Sequence, residues 1–191
     1  LSLHKDRAII REEATVGTTT ISNTDLSFYT AANDSDIQYS VSNGALTVQP
    51  NTELYIWNGA TFAPGGAVTV LGDAGSAVAD GTLTLTANSA YVAGGNTTLA
   101  GSLRASSSAS FTPATTSVLT FTATTTGKVV DITTPNLGAV AFNGAGGTWS
   151  FTQSNATTAN LTINNGNSVT APSGNLNVTG TFSNYGTFLN N

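Results

Sequence analysis

Short runs in which apolar and polar residues alternate recur along most of this chain. In TLTLT (82–86), Leu83 and Leu85 fall on one side of an extended backbone, and Thr82, Thr84 and Thr86 on the other. In VLTFTA (118–123), Leu119, Phe121 and Ala123 oppose Thr120 and Thr122. The same kind of run predicts strands at IQYSV (37–41), ALTVQ (45–49), ELYIW (53–57), AVTVL (67–71), GAVAF (138–142) and TWSF (148–151). Further predicted strands are TTLAGSL (97–103), ASFT (109–112), VVDI (129–132), LTI (161–163), SVTA (168–171), LNVTGTF (176–182) and TFL (187–189). Turn pairs such as Asn58-Gly59, Gly94-Gly95, Asn143-Gly144 and Asn165-Gly166 separate the runs, because these residues reach positive φ at low cost. From Thr18 onward nothing reads as helix, since Thr-rich, Gly-punctuated sequence has low helix propensity.

Strands this short, joined by small polar turns, fit two all-β architectures. One is a β-solenoid, in which successive coils stack short parallel strands in a parallel β-helix-like manner. The other is a tandem of β-sandwiches. The solenoid is favoured, because no long Greek-key crossing separates the runs and the C-terminal part loosely repeats itself. Leu161-Thr-Ile163 and Leu176-Asn-Val178 each follow an Asn and stand 15 residues apart, and GTF recurs at 180–182 and 186–188. The expected division is a charged N-terminal arm or linker at 1–17 and a solenoid repeat region at 18–191. The chain starts at Leu1 and ends in SNYGTFLNN, which reads as a repeat cut in mid-course. A fragment of a longer chain is therefore expected.

Charge sharpens this picture. Only 8% of the residues are charged, against about one quarter in ordinary domains, and none of these lies between Ile132 and Asn191. In stacked coils equivalent positions repeat about every 4.8 Å, so a charge carried up such a column would repel its copies. Thr, Ser and Asn can instead hydrogen-bond in ladders. The net charge of −5 and the lack of any basic stripe exclude nucleic acid as an expected partner. No apolar run is long enough for a membrane span. There is no Cys, hence no disulfide or thiolate chemistry.

The words ELYIWNGATFAPGG (53–66), LTFTATTTGK (119–128), LGAVAFNGAGGTWSFTQSNATTANLTINNGNSVT (137–170) and GNLNVTGTFSNYGTFLNN (174–191) carry a resemblance. From Thr52 onward the chain resembles bacterial β-strand-repeat surface proteins, of the parallel β-helix kind found in autotransporter passengers and haemagglutinin-like adhesins. The resemblance implies an extracellular, cell-surface location and a structural or adhesive role. It supplies no catalytic residues.

Candidate chemistry is sparse. His4 is the only His and no GxSxG elbow accompanies it, so a Ser-His-Asp triad is not expected. Carboxylate pairs for glycan hydrolysis would have to come from Asp34 with Asp36, Asp73 with Asp80, or Asp131 near Lys128. Lys128 and Asp131, three apart in a strand, face opposite sides, and no pair brings an acid, a base and a basic clamp together. The expectation is that the protein is not an enzyme. Asp34 and Asp36 in AANDSDI offer oxygens to Ca²⁺ but lack the further acidic ligands of a calcium loop, so a solvated turn is the better reading. No other cofactor is expected. Asn33, Asn96, Asn155, Asn160 and Asn177 open N-x-S/T triplets and are glycosylation candidates in an exported protein. The T-x-T runs invite an ice-binding array, but the two best are 38 residues apart with unlike text between, and an outward polar strand face is preferred.

In ELYIW, Leu54 and Ile56 share one face and Tyr55 and Trp57 the other, so both faces are apolar. That predicts a contact surface or burial under a neighbouring element. The expected function is a stiff rod, fibre, filament or surface-layer coat that associates with copies of itself or with the continuation of its own chain. In the filament version the N-terminal arm docks onto a neighbour by strand addition. The alternative is an adhesin module that binds a cell-surface glycan through Tyr55 and Trp57.

Overall fold

The computed structural model describes residues 2–10, 19–28, 38–41, 45–48, 50, 53–72, 81–133 and 136–191, and for the first three segments it describes the backbone alone. Asn33, Asp34, Asp36, Asp73 and Asp80 lie outside the described residues.

Among the described residues every regular element is a strand, and every strand pairing is parallel. The all-β, solenoid expectation is therefore met, and the sandwich, which needs antiparallel pairs, is not. The chain winds over three faces. The first face is a ladder of β2 (Thr19–Phe28, its first half), β4 (Leu46–Val48), β7 (Val68–Val70), β10 (Thr97–Leu99), β13 (Val118–Phe121), β15 (Ala139–Phe142), β18 (Asn160–Ile163) and β21 (Phe182–Asn184). The second holds the latter half of β2, then β5 (Leu54–Ile56), β8 (Leu83–Leu85), β11 (Leu103–Ala105), β14 (Lys128–Asp131), β16 (Thr148–Phe151), β19 (Ser168–Thr170) and β22 (Thr187–Leu189). The long β2 runs across both faces, and β1 (Ser2–Ile10) pairs along it in parallel, extending the stack by one rung.

The third face is interrupted. It holds β3 (Gln38–Val41), β6 (Thr61–Pro64), β9 (Ala90–Val92) and β12 (Ser110–Thr112), then separately β17 (Ala156–Thr158) and β20 (Leu176–Val178). Between them the rung containing β13 and β14 adds no strand to this face among the described residues. Leu137 N–H donates to Thr157 O at 2.9 Å and resumes the stack.

The rung length follows from the pairing register. Val48, Val70, Leu99, Phe121, Phe142 and Ile163 succeed one another at 22, 29, 22, 21 and 21 residues. This corrects the 15-residue spacing read at 161–163 and 176–178, because those two segments sit on different faces of one rung. Two predicted strands also prove to be pairs. Residues 97–103 divide at the corner Ala100–Ser102 into β10 and β11, and 176–182 divide into β20 and β21. At each corner the backbone still bonds between rungs: Ala100 N–H reaches Val70 O, and Gly180 N–H reaches Ala159 O.

Alternation puts one apolar set inside. Leu46, Val48, Leu54, Ile56, Leu83, Leu85, Leu119, Phe121, Leu161 and Ile163 are all buried. Aromatic rings stack along the axis, as parallel register dictates. Phe121 and Phe142 lie 5.0 Å apart and nearly parallel, and Tyr91 and Phe111 lie 5.2 Å apart on the third face. Tyr91 hydrogen-bonds Thr97 within the core at 2.8 Å, and burial pushes its phenol well above the usual tyrosine range. Asn side chains tie rungs together: the Asn96, Asn155 and Asn160 carboxamide oxygens accept from Val118, Asn175 and Thr181 N–H of the next rung.

Candidate functional site

The outward positions of the second face carry the chemistry. Tyr55 stands beside Thr84 in register, Thr84 beside Arg104, and Arg104 beside Asp131. One column therefore ascends from an aromatic through a hydroxyl to a cation and an anion, at about 4.8 Å per rung. Trp57 follows β5 on the same side; it is 37% exposed, and its ring centroid lies 5.4 Å from that of Tyr55. The Thr84 hydroxyl donates to the Glu53 carboxylate at 3.2 Å. Gln153 Nε2 donates to Asp131 Oδ1. At the corner next to Trp57, Asn88 Nδ2 donates to Asn58 Oδ1 at 3.4 Å, and Asn88 N–H donates to the Ser108 hydroxyl at 3.0 Å.

Alternation explains why this patch forms where it does. Leu54 and Ile56 are fully buried, so Tyr55 and Trp57 must project outward. Glu53, Arg104, Lys128 and Asp131 are the charged residues whose side chains are described, and all four belong to the second face or its entry. Lys128 is the exception in direction. It begins β14 on the inner side, beside Trp149 in register, and is buried, while Asp131 points outward. The two do face opposite ways, as their spacing implies. Strand alternation located Tyr55 and Trp57; Glu53, Thr84, Arg104 and Gln153 join them only through the rung register.

The other candidates fall elsewhere. His4 lies within β1. Asn96, Asn155, Asn160 and Asn177 are exposed, the first three with their carboxamides engaged between rungs. Asn177 occupies the middle of β20. Trp149 and Phe151 are core residues. Among the described residues no group of three or more His, Cys, Asp or Glu side chains converges as a metal site, and no helix is long and apolar enough to cross a membrane. Where the third face is interrupted, a cleft of about 440 Å³ opens against Ser107, Ser108, Ser110, Thr112, Thr133 and Asn136, over a floor of Ala109, Phe111 and Pro113. Its lining is uncharged, and the surface it offers is mostly apolar.

No family model, curated protein or solved structure matches this chain. The fold and the geometry of its faces therefore carry the functional argument alone.

Proposed function

We propose that this chain is part of an extracellular bacterial surface rod or coat with a structural and adhesive role. The observation that carries the reading is the single continuous register, in which each rung is templated by the one before it. Such a stack is stiff along its axis and repeats its backbone ladder at every rung. The charge-free stretch from Ile132 to Asn191 supports the same reading, since residues stacked on its rungs do not repel one another. The terminal strands β21 and β22 and the turn between them leave Phe182, Tyr185 and Leu189 about half or more exposed. A further rung, from this chain or another, would cover them. Strand addition by the N-terminal segment would use the edge of β1 not already paired to β2. The location is tested by labelling intact source cells with an impermeant reagent or antibody. Signal before permeabilisation is expected; signal only after it would end the surface reading.

The second reading, a glycan-binding face, is favoured by one asymmetry: the exposed Trp57, its partner Tyr55 and the charges Glu53, Arg104 and Asp131 gather on one face, with only Lys128 of the described charges turned inward. Aromatic rings offer flat apolar area to a sugar ring, and Glu53, Arg104 and Asp131 offer hydrogen-bond partners at its rim. The double variant Tyr55→Ala/Trp57→Ala is expected to lose about tenfold or more in retention on cell-wall polysaccharide. Both residues project outward, so the melting curve should hardly move. Retention equal to the parent's would leave this face without that role. Incubation with polysaccharide should release no new chain ends; their appearance would reopen hydrolysis.

A further inference from the structure

The first face shows a pattern no local stretch of sequence reveals. Its central outward column reads Thr47, Thr69, Thr98, Thr120, Ala141, Thr162 and Ser183 on successive rungs. All seven are half-buried by their neighbours, which leaves a level surface of methyl and hydroxyl groups. The flanking columns are also neutral: Val118, Ala139 and Asn160 on one side, and Ala100, Thr122 and Asn143 on the other, a column that continues through Asn164 to the exposed Tyr185 at its C-terminal end. None of these outward positions is charged, whereas the second face gathers Glu53, Arg104 and Asp131.

We propose that the first face is a self-association surface, whose occupant is the first face of a second copy of this chain. Three arguments select that occupant. A periodic surface is matched best by a partner of the same period, and a second copy has the same rung rise by identity. The face meets its own image without like-charge repulsion, which the acidic chain as a whole does not. Flat ladders of small β-branched and Asn side chains can interdigitate between sheets about 10 Å apart, as in dry paired-sheet interfaces. Six intervals of about 4.8 Å and three columns about 6.6 Å apart give a patch of roughly 500 Å² per copy. Two copies thus bury roughly 1,000 Å² in total, the lower bound for a specific interface. The contact is isologous and closes as a pair, with Thr120 at the middle of the column meeting its own copy. This proposal does not rest on the glycan reading, because it uses a different face.

The chain has no Cys, so single thiols report the geometry directly. Thr120→Cys should be captured as a covalent dimer by a short bis-maleimide reagent, whereas Thr170→Cys, outward on the second face, should give only background. Sedimentation should show a monomer–dimer equilibrium that Thr98→Lys/Thr120→Lys weakens at least about tenfold, with an unchanged melting curve. Tyr55→Ala/Trp57→Ala should leave the Thr120→Cys cross-link intact, which separates this surface from the glycan face. Equal cross-linking at 120 and 170 would overturn the proposal. So would a monomer at every concentration, or retention on ice or on an insoluble polysaccharide by chains that stay monomeric and need Thr98 and Thr120.

Discussion

Replacing Trp149 by Ala is expected to remove about 3–5 kcal/mol of stability, the usual cost of emptying a large aromatic site. Trp149 is 1% exposed, and its ring lies 5.1 Å from Phe142 and 6.1 Å from Phe121. It thus joins the second-face ladder to the aromatic stack of the first, across the narrow core. Its indole N–H donates to Gly101 O at 3.2 Å in a buried setting, so truncation also strands an acceptor. Gly147 makes room for the ring: a Cβ there would collide with the Trp149 ring and with Ala123 O. Trp149→Phe keeps most of the apolar contact but loses the indole donor, and should cost clearly less than Ala. Denaturant midpoints measure both. Strands pair only with those of adjacent rungs, and the indole bond to Gly101 reaches one rung further, so the damage should stay within about two rungs of Trp149. Amide exchange should quicken first around Phe121, Phe142, Phe151 and the Gly101 corner, and last around Leu46 and Val48. A uniform rise along the whole stack would contradict a nearest-neighbour solenoid.

How much of this could be read from the chain follows from the range over which each signal acts. Which residues of a strand point inward is set by its own alternation, so Leu83 with Leu85 and Leu119 with Phe121 were legible as core. Strands with weak alternation were not: β6 contains Pro64, and β17 reads Ala-Thr-Thr, with Thr158 turned inward and fully buried. Corners hidden inside apolar text, such as Ala100–Ser102, made two strands look like one. The columns were illegible, because their members stand 21 to 29 residues apart along the first face and nothing local links them. The comparison of T-x-T runs shows the consequence. The runs that start at Thr82 and Thr120, 38 residues apart, pass through β8 and β13 on different faces, while the true partners of Thr120 are Thr98 and Ala141. The functional patch divides the same way: Tyr55 and Trp57 came from one strand, whereas Arg104 and Gln153 needed the register.

The absence of charge after Ile132 extends to the buried corners, and Asn167 shows why Asn rather than Asp serves there. Asn167 is 2% exposed. Its Oδ1 accepts from the buried Gly144 N–H at 2.8 Å, and its Nδ2 donates to Asn164 O at 2.9 Å and Asn165 O at 3.2 Å. One carboxamide therefore satisfies a donor of the preceding rung and two acceptors of its own turn. Gly144 has no room to adjust, since a Cβ there would strike the backbone of Thr122 and Ala123. Asn167→Asp preserves the shape and the bond from Gly144 but turns an oxygen toward the two carbonyls. At neutral pH this should cost about 3 kcal/mol, from a buried charge and two acceptors left facing an acceptor. The folded state then favours the protonated acid, whose O–H can donate to Asn164 O, so the folded pKa of the introduced carboxyl lies above its unfolded value of about 3.9. Below that unfolded value the variant should approach the parent in stability, and the gap should open as pH rises through the folded pKa. Asn167→Ala cannot recover in this way: it strands Gly144 N–H at every pH, and its deficit should be flat. Thermal melts of the two variants and the parent across the acid range make the comparison. A pH-independent deficit for Asn167→Asp would mean that Nδ2 does not donate to the turn, and that the Asn at this corner is selected by backbone conformation alone.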